Sequence, residues 1–137
     1  MTASHDVADA SARFYAAVNQ LQKGDPEPMF ALWSHRADVL NAGPQGGRQQ
    51  GWEEVRAYFA NAARLAGANP GAVSATVSDA IITMVGDIAY VYCTEEVQVT
   101  GDGQVRRFTA RATNIYRREA GGWKLVYRHA DAPPSTR

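Results

Sequence analysis

WKLVYRHAD, residues Trp123 to Asp131, is the last strand-like stretch of the chain, and its reading decides how the sheet is oriented. Trp123, Leu125 and Tyr127 recur at every second position, the pattern of a half-buried strand. Continued, the alternation sets His129 and Asp131 on the side that Trp123 and Leu125 mark as inside. An apolar face that runs out into a histidine and a carboxylate is expected at the mouth of a pocket.

Three further strand-like stretches precede this one, at about 73–85, 88–99 and 105–118, with the last at about 123–130. Gly86-Asp87, Gly101-Asp102-Gly103 and Ala120-Gly121-Gly122 separate them, all turn-forming combinations. A tight turn pairing Gly101 with Gln104 brings Thr94 opposite Arg111, Tyr92 opposite Thr113 and Tyr90 opposite Ile115. A three-residue loop closing Glu119 on Trp123 brings Arg111 opposite Asp131, Thr113 opposite His129 and Ile115 opposite Tyr127. Both registers predict one inward face of Tyr90, Tyr92, Thr94, Arg111, Thr113, Ile115, Trp123, Leu125, Tyr127, His129 and Asp131. The other face, with Val91, Cys93, Val97, Phe108, Ala112, Asn114, Tyr116 and Val126, is too apolar for water and is expected to pack against a second copy. A one-residue slip would exchange the two faces.

Upstream the periodicity is helical. Val7, Ala10, Phe14, Ala17, Val18 and Leu21 form one stripe over 4–23, with Thr2 or Ser4 as cap and Gly24 at the end. In DPEPMFALW, Asp25 is a good N-cap, the two prolines suit a first turn, and the helix breaks at Ser34-His35. A short strand at 38–42 and the glycine-rich GPQGGRQQG loop lead to a third helix at 52–65, with Glu53 and Glu54 in its first turn. Helices followed by long antiparallel strands define an α+β order.

With 14 basic and 14 acidic residues in 137, no net field draws the chain to nucleic acid or an anionic membrane. The N-terminus lacks a signal pattern and no stretch is long enough to span a bilayer, so a cytoplasmic location is expected. Cys93 is the sole cysteine, which excludes an internal disulfide, and His5, His35 and His129 are too scattered for a metal motif. The glycine loop lacks a phosphate-loop Lys-Ser/Thr, so neither metal nor cofactor is expected.

WSHRADVLNAGPQGGRQQGWEEVRAYF and RATNIYRREAGGWKLVYRHAD together resemble the SnoaL-like branch of the nuclear transport factor 2-like superfamily. The resemblance is nearest to small bacterial homologues of the calcium/calmodulin-dependent kinase II association domain. It covers nearly the whole chain, as one domain over 1–137 with 132–137 as a frayed tail. It implies a cone-shaped, curved mixed sheet wrapped around three N-terminal helices (a cystatin-like roll), a pocket at the open end, and a homodimer. Ketosteroid isomerase, polyketide cyclases, scytalone dehydratase and non-catalytic assembly domains share that architecture, so the fold alone selects no function. The chain departs from the family pattern at Tyr127, where a second histidine is expected, and at Asp131, where a serine is expected.

Within the expected pocket Arg111 is the strongest binding candidate, since a guanidinium grips a carboxylate through two hydrogen bonds. Its partner is either Asp131 or an organic anion, and an arginine in the cavity is a feature the resemblance implies. Tyr92, Thr94, Thr113 and Tyr127 are expected to orient the ligand, with Trp33, Trp52, Tyr58 and Trp123 lining its apolar part. Asp131 and His129 are the expected acid–base pair, although Arg111 beside Asp131 would weaken it as a base. The expected function is binding of a compact organic acid or carbonyl compound, with cofactor-free proton transfer as an isomerase, cyclase, dehydratase or hydrolase if it is turned over. The competing expectation is an assembly module whose pocket is structural. For Arg111 and Asp131 the bland alternative is an ion pair closing the sheet end, and for His129 a bond to backbone.

Overall fold

The computed structural model describes residues 3–44 and 46–133, and side chains from Asp6 onward. Helix α1, Ala3–Leu21, lays Val7, Ala10, Phe14, Ala17 and Leu21 on its buried side, all at most 4% exposed. Gly24, at φ 98°, stops it, and its N–H donates to Leu21 O at 2.9 Å. Ser4 falls inside the helix rather than at its cap, and the expected cap Thr2 lies outside the described residues, as does the tail from 134. Helix α2, Glu27–Leu32, starts at Pro26, and Asp25 Oδ1 accepts the Glu27 N–H at 3.1 Å. It ends as Trp33 turns extended and bridges to Leu125. Strands β1 (Leu40–Ala42) and β2 (Gln49–Gln50) flank the glycine loop, and α3 spans Trp52–Gly67.

The long strands β3 (Val73–Val85), β4 (Ile88–Gly101), β5 (Gln104–Glu119) and β6 (Gly122–Asp131) complete a curved six-stranded sheet of order β2-β1-β6-β5-β4-β3. All its pairings are antiparallel except that of β1 with β6. Away from the β5–β6 turn the expected pairs hold: Tyr92 faces Thr113, Thr94 faces Arg111, Thr113 faces His129, and Arg111 faces Asp131. At the turn Glu119 closes on Gly122 rather than on Trp123, a loop one residue shorter than expected.

The faces, however, are the reverse of those expected. Between Ile115 and Tyr116 the partner on β6 jumps from Tyr127 to Leu125, leaving Val126 as an extra residue. A β-bulge of this kind moves every later side chain to the other face. Trp123 and Leu125 therefore pack inward as read, but beyond the bulge Arg128 and Ala130 take the inner positions, 8% and 1% exposed. Tyr127 is only partly covered, and His129 and Asp131 stand outside with side chains 52% and 70% exposed. The same inversion runs across the sheet. Val91, Cys93, Ala112, Asn114 and Tyr116, expected at a dimer contact, are buried core, while Tyr90, Tyr92 and Arg111 are exposed. A second irregularity in β3, at Asp79 with φ 56°, separates Ser78 from Ile81 and adds to the bend.

Candidate functional site

The inner face carries a polar group where a core would ordinarily be apolar. The parallel register of β1 with β6 and the antiparallel register of β5 with β6 align Asn41, Arg128 and Asn114 in one row. Glu95, on the inward alternation of β4 with Val91, Cys93 and Val97, completes the cluster. Arg128 Nη1 and Nη2 donate to Glu95 Oε2 and Oε1 at 2.6 and 3.0 Å, a two-pronged ion pair, and Nη1 also donates to Asn114 Oδ1 at 3.3 Å. From α1, Tyr15 OH donates to Glu95 Oε2 at 2.7 Å and accepts from Asn114 Nδ2 at 3.2 Å. With that hydroxyl proton committed, the Cys93 thiol at 3.0 Å is the donor of its own contact with Tyr15. The guanidinium also lies over the Phe14 ring, 5.0 Å from its centroid.

Electrostatically the cluster is held in one state. Burial works against the Arg128 charge, but the hydrogen bonds and charge of Glu95 outweigh it and raise its pKa further. Burial, then the Glu95 charge, pushes the Tyr15 phenol far up, so it stays a donor. Burial likewise raises the Cys93 thiol, which disfavours the thiolate.

Glu95 and Arg128 open onto a cavity of about 500 Å³ between α1, α3 and the sheet. Phe14, Leu21, Met29, Phe59, Val97 and Phe108 supply much of its apolar wall, and Tyr58, Asn61 and Asn41 add polar edges. Asn41 Nδ2 donates to Gln49 Oε1 at 2.7 Å, while its Oδ1, buried, has no partner among the described residues. An acceptor left dry costs about 1–3 kcal/mol, so this one has a reason to be sought.

The residues singled out in the sequence are placed differently. Of the aromatic wall, Tyr58 lies in the cavity; Trp33 is closed core at 1% exposure, and Trp123 is buried beneath Arg118. Trp52 stacks on His35, ring centroids 4.0 Å apart, away from the cavity, and His35 Nε2 bonds the Phe30 carbonyl at the end of α2. Arg111, Tyr92, Thr94, Thr113, Tyr127, His129 and Asp131 share the outer face. There His129 Nε2 and Asp131 Oδ2 meet at 2.7 Å, and Arg111, though in register with Asp131, forms no ion pair among the described residues. Glu95, Arg128, Tyr15, Asn114 and Asn41 were missed. Glu95 carried a signal, a charge on an otherwise apolar alternation. Arg128 became legible only through the apolar run Leu125-Val126-Tyr127, where two-residue periodicity breaks.

The curved sheet, the N-terminal helices and the cavity define a class, the cystatin-like fold, in the nuclear transport factor 2-like superfamily. Residues 7–134 match the SnoaL-like domain, and the chain belongs to that family. Among solved structures, a provisionally assigned dehydratase of the nuclear transport factor 2-like family from Streptomyces avermitilis is 28% identical, TM-score 0.80, with 97% of each chain covered. A provisionally assigned calcium/calmodulin-dependent protein kinase type II association domain from Thiobacillus denitrificans is 26% identical, TM-score 0.70, covering 91% of this chain and 93% of that one. The kinase II hub of S. rosetta shares the fold at 22% identity and TM-score 0.73, covering 94% and 95%. Comparison with curated proteins gives no match. Among the described residues, no helix is long and apolar enough to cross a membrane.

Proposed function

We propose that the protein binds a compact, partly apolar small molecule, an organic acid or carbonyl compound, in the interior cavity, with Arg128 and Glu95 as its polar anchor. The observation that carries this reading is the placement of a buried ion pair in the wall of a cavity of about 500 Å³. Desolvating two charges costs several kcal/mol per ion, and apolar residues of similar volume often serve a core equally well. A pair retained where a ligand could reach it fits a binding role, and the volume lies in the range of small-molecule sites, about 300–1,000 Å³. The likeness to a provisional dehydratase is compatible with turnover. Three of the lone-pair positions on Glu95 are already taken by Arg128 and Tyr15, so binding is better supported than proton abstraction. The acid–base roles expected of His129 and Asp131 do not enter, because both lie on the opposite face.

The test is a thermal-shift screen of small carbonyl compounds and carboxylates on the wild type and on a folded Arg128→Met/Glu95→Leu variant. A compound that stabilises only the wild type supports the reading. No shift with any compound favours an assembly module, the reading to which the association-domain likenesses point. The two are compatible at the level of the dimer. Ile81, Tyr90 and Tyr92 on the outer face of β3 and β4, 59%, 39% and 37% exposed, supply an apolar surface for a homodimer through the sheet.

A further inference from the structure

The charge balance of the cavity narrows the ligand class, an inference that rests on the binding function proposed above. Among the described residues of the wall, Glu95 and Arg128 are the only charged ones, and they neutralise each other through two hydrogen bonds. A free carboxylate entering this space brings a charge for which no uncommitted countercharge exists, and burying an unpaired charge is costly. To bind Arg128 end-on it would have to displace Glu95, which Tyr15 also holds at 2.7 Å.

What is left unused is donor capacity on Arg128. Arg128 has five N–H bonds; three are engaged, and Nε–H and the second hydrogen of Nη2 have no acceptor among the described residues. Asn41, its register neighbour on β1, adds no contact for a ligand: its amide is fixed by Gln49 and its Oδ1 is buried out of reach. Both residues line the cavity and are buried, Asn41 at 1% and Arg128 at 8% exposure.

From this we infer that the site selects an uncharged ligand carrying a carbonyl oxygen, as in a carboxamide, and discriminates against the corresponding free acid. The carbonyl oxygen accepts from Arg128. Specificity arises because Glu95 has already spent the arginine's charge.

Matched pairs test this: benzamide with benzoate, mandelamide with mandelate, and lactamide with lactate, titrated at neutral pH by calorimetry and ligand-observed NMR. The expected result is that at least one amide binds and exceeds its carboxylate at least tenfold. In Glu95→Gln, where the arginine charge is released, the preference should reverse toward the carboxylate. Should that variant fail to fold, the wild-type comparison is repeated below the ligand's own carboxyl pKa, where the protonated acid should approach the amide in affinity. A carboxylate that binds as tightly as its amide, or more tightly, overturns the inference and leaves the binding function standing. No binding by either member of any pair, with no other carbonyl compound stabilising the protein, overturns the binding function itself.

Discussion

Arg128 is a long, permanently charged side chain enclosed by Phe14, Glu95, Asn114 and Tyr15, and it is stable there only because its charge is answered within hydrogen-bond distance. Removing one side of such a pair is far more damaging than removing both, since the survivor keeps its desolvation cost. Glu95→Ala should therefore destabilise the protein by about 3–5 kcal/mol in urea denaturation, from the range found for broken buried pairs. Arg128→Met combined with Glu95→Leu should cost much less than the sum of the single changes. Additive costs would mean that the two residues do not act as one unit.

At the scale of elements, the bulge in β6 decides which side chains reach the cavity. Deleting Val126 would remove the bulge and restore simple alternation with Trp123, Leu125, Arg128 and Ala130 still inward and His129 outward, because the one extra residue is the one lost. The expected outcome is a variant that still unfolds cooperatively and keeps the near-ultraviolet circular dichroism of the buried tryptophans; loss of both would contradict the face assignment. The link between α2, β1 and β5 is electrostatic. Arg117 donates to Asp38 Oδ2 at 2.7 Å and to Glu119 Oε2 at 2.8 Å, and Ser34 donates to Glu119 at 2.8 Å. Hydrogen bonding by Arg117 holds the Asp38 carboxyl below its ordinary 3.8. Burial tends to raise Glu119, but Ser34 and Arg117 hold it below its ordinary 4.5. Both folded pKa values are depressed, so the stabilisation is fully present above the unfolded values and is lost as pH falls through the folded ones. Thermal melts should show this acid-side loss in the wild type and a smaller one in Arg117→Met; screening by solvent at the exposed Asp38 keeps the difference modest.

Much of this level was legible in the sequence, and the reason it stopped is physical. Turn residues fixed the β4–β5 register, because hairpin geometry is local. In β5–β6 the turn is one residue tighter than read, Glu119 facing Gly122, and the bulge at Val126 restores the expected pairs from Ile115–Tyr127 to Arg111–Asp131. The inward face was inferred from Trp123 and Leu125 at one end of β6 and carried across a bulge that a period-2 reading cannot cross. One inserted residue therefore moved the expected site from Arg128, Glu95 and Asn41 to Arg111, His129 and Asp131.

For the molecule as a whole, the sheet separates two surfaces with different tasks. Its concave side closes over the helices and the cavity, and its outer side presents Ile81, Val85, Tyr90 and Tyr92 to solvent. Light scattering at micromolar concentration should give a dimer for the wild type and a monomer for Ile81→Glu/Tyr92→Glu with its fold retained; a wild-type monomer would exclude the sheet-mediated pair. The central claim, that ligand recognition belongs to the inner face, is tested most directly by following the arginine Nε–H resonances in heteronuclear NMR while benzamide, mandelamide and lactamide are added. The account predicts that the Arg128 resonance shifts and that of Arg111 does not. A response at Arg111 with Arg128 unmoved would place recognition on the outer face and contradict it.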